Sequence, residues 1–149
     1  MTDVVDRKTR SRMMSGIRGK DTRPEMDIRH CLFARGFRYR LHSSGLPGRP
    51  DLVLAKYRAA VFVHGCFWHG HDCRLFRMPD SNRAFWAAKI RRNRARDREV
   101  LQKLPQTGWR TLVIWECSFR GGGQKALDRV CQRAAVWIES RSKFLEIRG

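Results

Sequence analysis

The apolar residues of this chain fall into blocks, and the spacing within a block switches between helical and extended. Ile28, Leu32 and Phe33 recur at helical intervals behind Thr22-Arg23-Pro24-Glu25, which reads as a capping box with proline in the first turn. Gly36 is a natural stop, so a helix is predicted from Thr22 to Gly36 with those three side chains facing the core. Phe37, Tyr39 and Leu41 then alternate with Arg38 and Arg40, the pattern of a half-buried strand. A loop rich in Gly, Pro and Ser, from His42 to Pro50, leads to two short apolar runs, Asp51 to Ala55 and Ala59 to His64. The turn Lys56-Tyr57-Arg58 between them makes a hairpin.

Farther along, Phe85, Trp86, Ile90, Val100, Leu101 and Leu104 mark a long helix from Asn82 to Leu104, ended by Pro105 and Gly108. Leu112 to Trp115 is an unbroken apolar run, suited to a buried parallel strand. After Gly121-Gly-Gly123, a last helix carries Leu127, Val130, Cys131, Ala134, Trp137 and Ile138. Helix, hairpin, helix, strand, helix makes a mixed α/β fold.

Charge changes this picture from a generic fold to one with a partner. The 149 residues, enough for one domain spanning 1–149, include 32 Lys+Arg against 14 Asp+Glu, a net charge of +18. Such a field attracts polyphosphate, and nucleic acid is the default partner. Residues 1–20 form a basic arm in which Met13, Met14 and Ile17 recur at nearly helical spacing. No apolar stretch approaches the roughly 18 residues of a membrane span, and the first residues lack a signal-peptide core, so a cytoplasmic location is expected. In that reducing setting the five cysteines read as ligands and core thiols, not disulfides; Cys31 and Cys131, on apolar helix faces, read as packing.

The densest chemistry lies in Val63-His-Gly-Cys-Phe-Trp-His-Gly-His-Asp-Cys73. Cys66, His71 and Cys73 lie within eight residues, and Cys117 follows the apolar strand. Three thiolates and one imidazole suit a closed tetrahedral zinc site, with the distant ligand pinning the loop to the sheet. Asp51 opens one strand of the hairpin, while His64 ends the other and His69 lies just beyond. Carboxylate and imidazoles meeting at one sheet end suit Mg²⁺-assisted phosphodiester hydrolysis. Glu25 and Asp97 are candidates to join them, although capping accounts equally for Glu25 and an ion pair with nearby arginines for Asp97.

Lys89 to Arg98 holds six basic residues and one acid on the long helix, a phosphate-contacting face. Phe67 and Trp68, between glycines, are candidate stacking or wedging aromatics; for Trp86 core packing competes with that role. A zinc-stabilised DNA-binding module without catalysis is the alternative to a nuclease, and it has no use for Asp51. A nucleobase deaminase lacks its H-x-E…P-C-x-x-C arrangement here.

Several of these segments are familiar together. They are Leu46-Pro-Gly-Arg-Pro-Asp51, the block His64-Gly-Cys-Phe-Trp-His69 with His71 and Cys73, Phe85-Trp86…Lys89-Ile90…Asn93…Arg96-Asp97-Arg98, and Gly108-Trp109…Val113-Ile-Trp-Glu-Cys117. With Thr9-Arg10-Ser11 and Met14 they resemble the very short patch repair (Vsr) DNA mismatch endonucleases, over roughly residues 2 to 138.

The resemblance implies a restriction-endonuclease-like core, a mixed central sheet flanked by helices, with zinc held by Cys66, His71, Cys73 and Cys117. It also implies Mg²⁺-dependent nicking of one strand of double-stranded DNA, 5′ to the T of T:G mismatches left by deamination of 5-methylcytosine. By position Asp51 would hold the magnesium together with the Val63 backbone carbonyl, and His69 would be the general base. His64, Glu25 and Asp97 would order the surrounding water. Phe67, Trp68 and Trp86 would wedge into the duplex, Met14 would enter from the other groove, and Lys89, Asn93 and Arg96 would lie on the DNA face. A monomer is expected, coupled in function to a cytosine-5 methyltransferase and mismatch-repair proteins. Two departures stand out. Phe62-Val63-His64 occupies the place of the Glu-x-Lys of the general nuclease fold, and Gly70 stands where the family admits a histidine, which suggests a looser loop.

Overall fold

Thr22 caps helix α1 (Arg23–Ala34) in the computed structural model, which describes residues 21–149; the basic arm with Met14 lies outside the described residues. Thr22 Oγ1 accepts the Glu25 amide at 3.4 Å, but Glu25 reaches back to the Asp21 amide, at 3.0 Å, and not to Thr22. Ile28 and Leu32 are fully buried, whereas Phe33, expected in the core, is 51% exposed. One residue beyond Leu32 is about 100° round the helix, and the ring meets the Arg38 guanidinium and the edge of Tyr39, not the core.

The strand predicted from Phe37 to Leu41 shrinks to β1 (Arg40–Leu41). Phe37 packs edge-on against Tyr57, and the Tyr39 hydroxyl donates to the Arg29 carbonyl at 2.9 Å, so this segment is tied to α1 before it meets the sheet. The hairpin follows as expected: β2 (Leu52–Leu54) pairs antiparallel with β3 (Ala59–His64), Leu52 opposite Val61. Next in the chain come α2 (Arg83–Gln106), β4 (Arg110–Trp115) and α3 (Gly123–Ile138). β4 runs parallel to β3, and a further strand, β5 (Phe144–Ile147), runs parallel to β4. The result is a mixed five-stranded sheet in the order β1-β2-β3-β4-β5.

Strand alternation assigns the two faces. Leu52, Leu54, Val61, Leu112, Ile114 and Ile147 pack with α1 and α3, while Ala60, Phe62 and Val113 pack with Leu104 of α2. That parity sends His64, two residues after Phe62, toward α2. None of the helices among the described residues is long and apolar enough to cross a membrane.

The reading of Cys31 and Cys131 as separate core thiols is corrected. Their sulfurs form a disulfide that joins α1 to α3 across 100 positions of sequence. Helix pairing brings them together, and neither helix's own periodicity discloses the other. A bridge closing so long a loop restricts the unfolded chain, with a typical effect of about 2–4 kcal/mol. Cys31→Ser is therefore expected to lower the melting temperature without changing the fold. Unfolded, metal-stripped and unreduced protein should titrate with three thiols, those of Cys66, Cys73 and Cys117; a titre of five would exclude the bridge.

Candidate active site and metal centre

The parallel pairing of β3 with β4 sets His64 opposite Trp115, so the loops leaving both strands emerge at one end of the sheet. Asp51 stands at the same end, because β2 is antiparallel and begins there. Its Oδ2 accepts the Val63 amide at 2.7 Å. Burial, opposed by that amide and reinforced by the hydrogen bond and charge of Glu25 alongside, pushes the Asp51 carboxyl up to about 8. Glu25 is itself 2% exposed and lies in a cage of donors. Arg29 Nη2 donates to it at 2.5 Å, the Asp21 amide at 3.0 Å, and His42 Nε2 lies 3.3 Å away. Arg29 also pairs with Asp21, and that pairing, followed by the hydrogen bond from His42, holds the Asp21 carboxyl below its usual range.

One residue past Val63 begins a second group. The His64 and His69 rings stack at 3.8 Å, nearly parallel, and His69 Nδ1 contacts Asp97 Oδ2 at 2.6 Å. Asp97 comes from α2, the helix that β3 parity faces. Burial, with lesser contributions from His69 and His71, holds His64 well below the ordinary imidazole range, so it stays neutral at physiological pH. A carboxylate accepting from Nδ1 fixes the His69 tautomer and leaves Nε2 with its lone pair.

Cys66, His71, Cys73 and Cys117 form a third group, with one ligand atom from each lying within 4.8 Å of all the others. A tetrahedral ion with bonds to sulfur of about 2.3 Å needs ligand atoms about 3.8 Å apart, so the donor set and its spacing fit zinc. His71 presents Nδ1, 3.5 Å from Cys117 Sγ, and its ring lies flat on Trp115 at 3.9 Å. Trp115 also meets His64 edge-on at 5.0 Å, so this one ring touches both the Cys/His group and the histidine pair. Burial pushes the Cys66 thiol up. Burial acts the same way on Cys73, but the Leu75 and Phe76 amides and the neighbouring sulfurs bring it below its usual range.

The aromatics form one cluster. Phe67, Trp68 and Trp86 meet edge to face at 5.2 to 5.8 Å, with Phe85 against Trp86. Trp86 is only 6% exposed and lies against the half-buried Phe67 and Trp68, while Phe85, one of the apolar positions marking the helix, is 56% exposed. Asn93 Nδ2 donates to the Trp68 carbonyl at 2.8 Å and Lys89 lies over the Trp68 ring, so both are engaged in holding this loop. Arg96 is exposed, and Arg91, Arg94 and Arg98 line a concavity of about 450 Å³ floored by Phe76, Met78 and Ile90.

The sequence model of the DNA mismatch endonuclease Vsr family matches residues 2–75. The DNA mismatch endonuclease Vsr of Escherichia coli (strain K12) is 40% identical, over 100% of this chain and 97% of its own. The chain belongs to the Vsr family. Other relatives are the type II nicking enzymes V.XorIIP of Xanthomonas oryzae, 46% identical over 78% of this chain and 86% of its own, and V.NmeAIP of Neisseria meningitidis serogroup A, 43% identical over 80% and 86%.

In this Vsr chain the departure at Gly70 coincides with a close approach to α2. Gly70 has φ of +59°, and a Cβ there would lie 2.4 Å from Ile90 Cγ2, so the glycine lets the loop press against α2. Asp21, Arg29 and His42 were not anticipated as neighbours of the acidic pair. Arg29 repeats at helical spacing after Glu25, which is the only sequence signal for it. The others depend on how the loop after β1 folds back.

Proposed function

We propose that this chain is a strand-specific endonuclease that nicks double-stranded DNA 5′ to the T of T:G mismatches arising from 5-methylcytosine deamination. Its membership of the Vsr family and its likeness to type II nicking enzymes support this activity. The core is read as restriction-endonuclease-like and the chain as one domain, 1–149, acting as a monomer in the cytoplasm. Residues 1–20, Met14 among them, serve as a DNA-contacting arm.

The observation that carries the catalytic reading is the His69–Asp97 contact beside neutral His64, at the sheet end that also holds Asp51. Asp51 and the Val63 carbonyl would hold Mg²⁺, which would stabilise charge on the phosphate and acidify a water. His69 takes the proton of the attacking water at Nε2, because Asp97 occupies Nδ1. Asp97 stabilises the imidazolium so formed, while Glu25 and His64 order water around Asp51. Cys66, His71, Cys73 and Cys117 would hold zinc with all positions filled, so the zinc carries structure and no chemistry. Phe67 and Trp68 enter the duplex as a wedge supported by Trp86, and Arg96 with its neighbours follows the phosphates. Lys89 and Asn93 work on the same face by fixing the wedge loop. The mismatch it serves implies functional coupling to a cytosine-5 methyltransferase and mismatch-repair proteins.

The test is direct. Purified protein with Mg²⁺ should nick a T:G duplex on the T strand and leave the matched C:G duplex whole. Equal cleavage of the two duplexes, or of both strands, would overturn this reading.

A further inference from the structure

No sequence pattern assigns a role to the residues after Ile138, yet their path leads to the thiolate group. β5 is parallel to β4 and in register with it, Ile147 beside Ile114, so the chain leaving β5 passes the same sheet end as Trp115 and Cys117. Ile147, 1% exposed, anchors that path in the core. Beyond it, the Gly149 amide donates to Cys117 Sγ at 3.3 Å. A Cβ at position 149 would lie 2.6 Å from the Cys117 carbonyl oxygen, so a glycine is what allows the amide this close. Arg148 Nη2 donates to the Asp72 carbonyl at 2.8 Å, and Asp72 sits between His71 and Cys73. One short segment therefore grips the β4 ligand and the loop ligands together.

We propose that residues 144–149 form a clasp over the thiolate centre, with Gly149 and Arg148 as positioning residues that slow loss of its metal. This rests on the zinc reading above. An N–H donated to a ligating sulfur stabilises its negative charge and fixes its direction, and removing such an outer partner typically costs about 10–100-fold in metal affinity. The Arg148 contact works differently. It ties the Cys66–Cys73 loop to the sheet, so that His71 and Cys73 cannot swing away from Cys117 independently.

Arg148→Met and Gly149→Pro, which removes the donor N–H and puts a Cβ against the Cys117 carbonyl, test the clasp in the full chain. Zinc release to a chromogenic chelator is followed at a temperature well below melting, with Arg141→Met as the charge control. Each clasp variant should release zinc about tenfold faster than the unmodified protein and the control, and the double variant faster still. The sulfur-to-metal charge-transfer band of the Co²⁺-loaded protein should shift in Gly149→Pro and stay in place in Arg141→Met. Release rates and bands matching the unmodified protein in both clasp variants would overturn the clasp while leaving the zinc reading intact. Protein that neither contains zinc nor takes it up would overturn both.

Discussion

Asp51→Asn is expected to abolish nicking and at the same time to stabilise the metal-free protein. The two effects share a cause. Asp51 lies against Glu25 in a buried corner, and its carboxyl is pushed up to about 8 from an ordinary 3.8. The fold thus favours the protonated form. That contribution is whole below about pH 4 and is lost as pH rises toward 8, so at pH 7 the metal-free fold carries a strain on the order of a few kcal/mol. On the proposed reading a divalent cation would relieve it by taking the place of the proton.

Asparagine keeps the hydrogen bonds and drops the charge. Its Oδ1 accepts from the Val63 amide and its Nδ2 donates to Glu25. The metal-free variant should therefore melt several degrees higher than the unmodified protein at pH 7, and the gap should narrow as pH falls and close below about pH 4. Nicking should fall by at least about 10³-fold, since metal stabilisation of the phosphate is worth several kcal/mol. T:G binding should be largely retained, because the Phe67–Trp68 loop and α2 are untouched. A variant that nicks at the native rate would remove Asp51 from the site; one that melts lower at pH 7 would remove the strain argument.

The second large effect belongs to Cys117→Ala. Cys117, just past β4, is the proposed ligand that would tie the loop after β3 to the sheet, and its sulfur also receives the Gly149 amide. Losing it should reduce bound zinc well below one per chain and lower the melting temperature by at least 10 °C or so; structural zinc contributes about 10–16 kcal/mol in small zinc peptides. Because Trp115 stacks on His71 and faces His64, loosening the thiolate group should also disturb the histidine pair. Nicking should then fall even though no catalytic side chain has changed. Chelation of the unmodified protein should reproduce both effects, and re-added zinc should reverse them. A Cys117→Ala protein that kept one tight zinc and the native melting curve would exclude Cys117 as a ligand.

The parts legible in the sequence are those fixed by local rules. The Thr22 cap, the Gly36 stop, the 52–64 hairpin, the long helix and the apolar β4 run each follow from propensity or periodicity within a few residues. The thiolate set was legible for another reason: cysteine and histidine at close spacing have few other uses. Misreadings fell where a neighbour outweighs the local pattern. Phe33 and Phe85 occupy apolar positions on their helices yet end up exposed, since a helix has more apolar positions than a thin layer on one face of the sheet can cover. The alternation at Phe37–Leu41 holds at Phe37 and Tyr39 but fails at Leu41, which is 41% exposed, and Tyr39 bonds to α1 and shortens the strand.

Composition and pattern alone thus determined a mixed α/β chain with a strongly positive charge, a cysteine–histidine loop, and carboxylate and imidazole side chains near one sheet end. Only the tertiary structure decided how those groups are divided and what surrounds them. Strand parity turned His64 toward Asp97. Parallel pairing set Trp115 in contact with both His71 and His64 and drew the segment after β5 to Cys117, while helix packing joined Cys31 to Cys131. Each of these contacts joins residues distant in the chain, and side-chain periodicity carries no record of which distant segment will cover a given face.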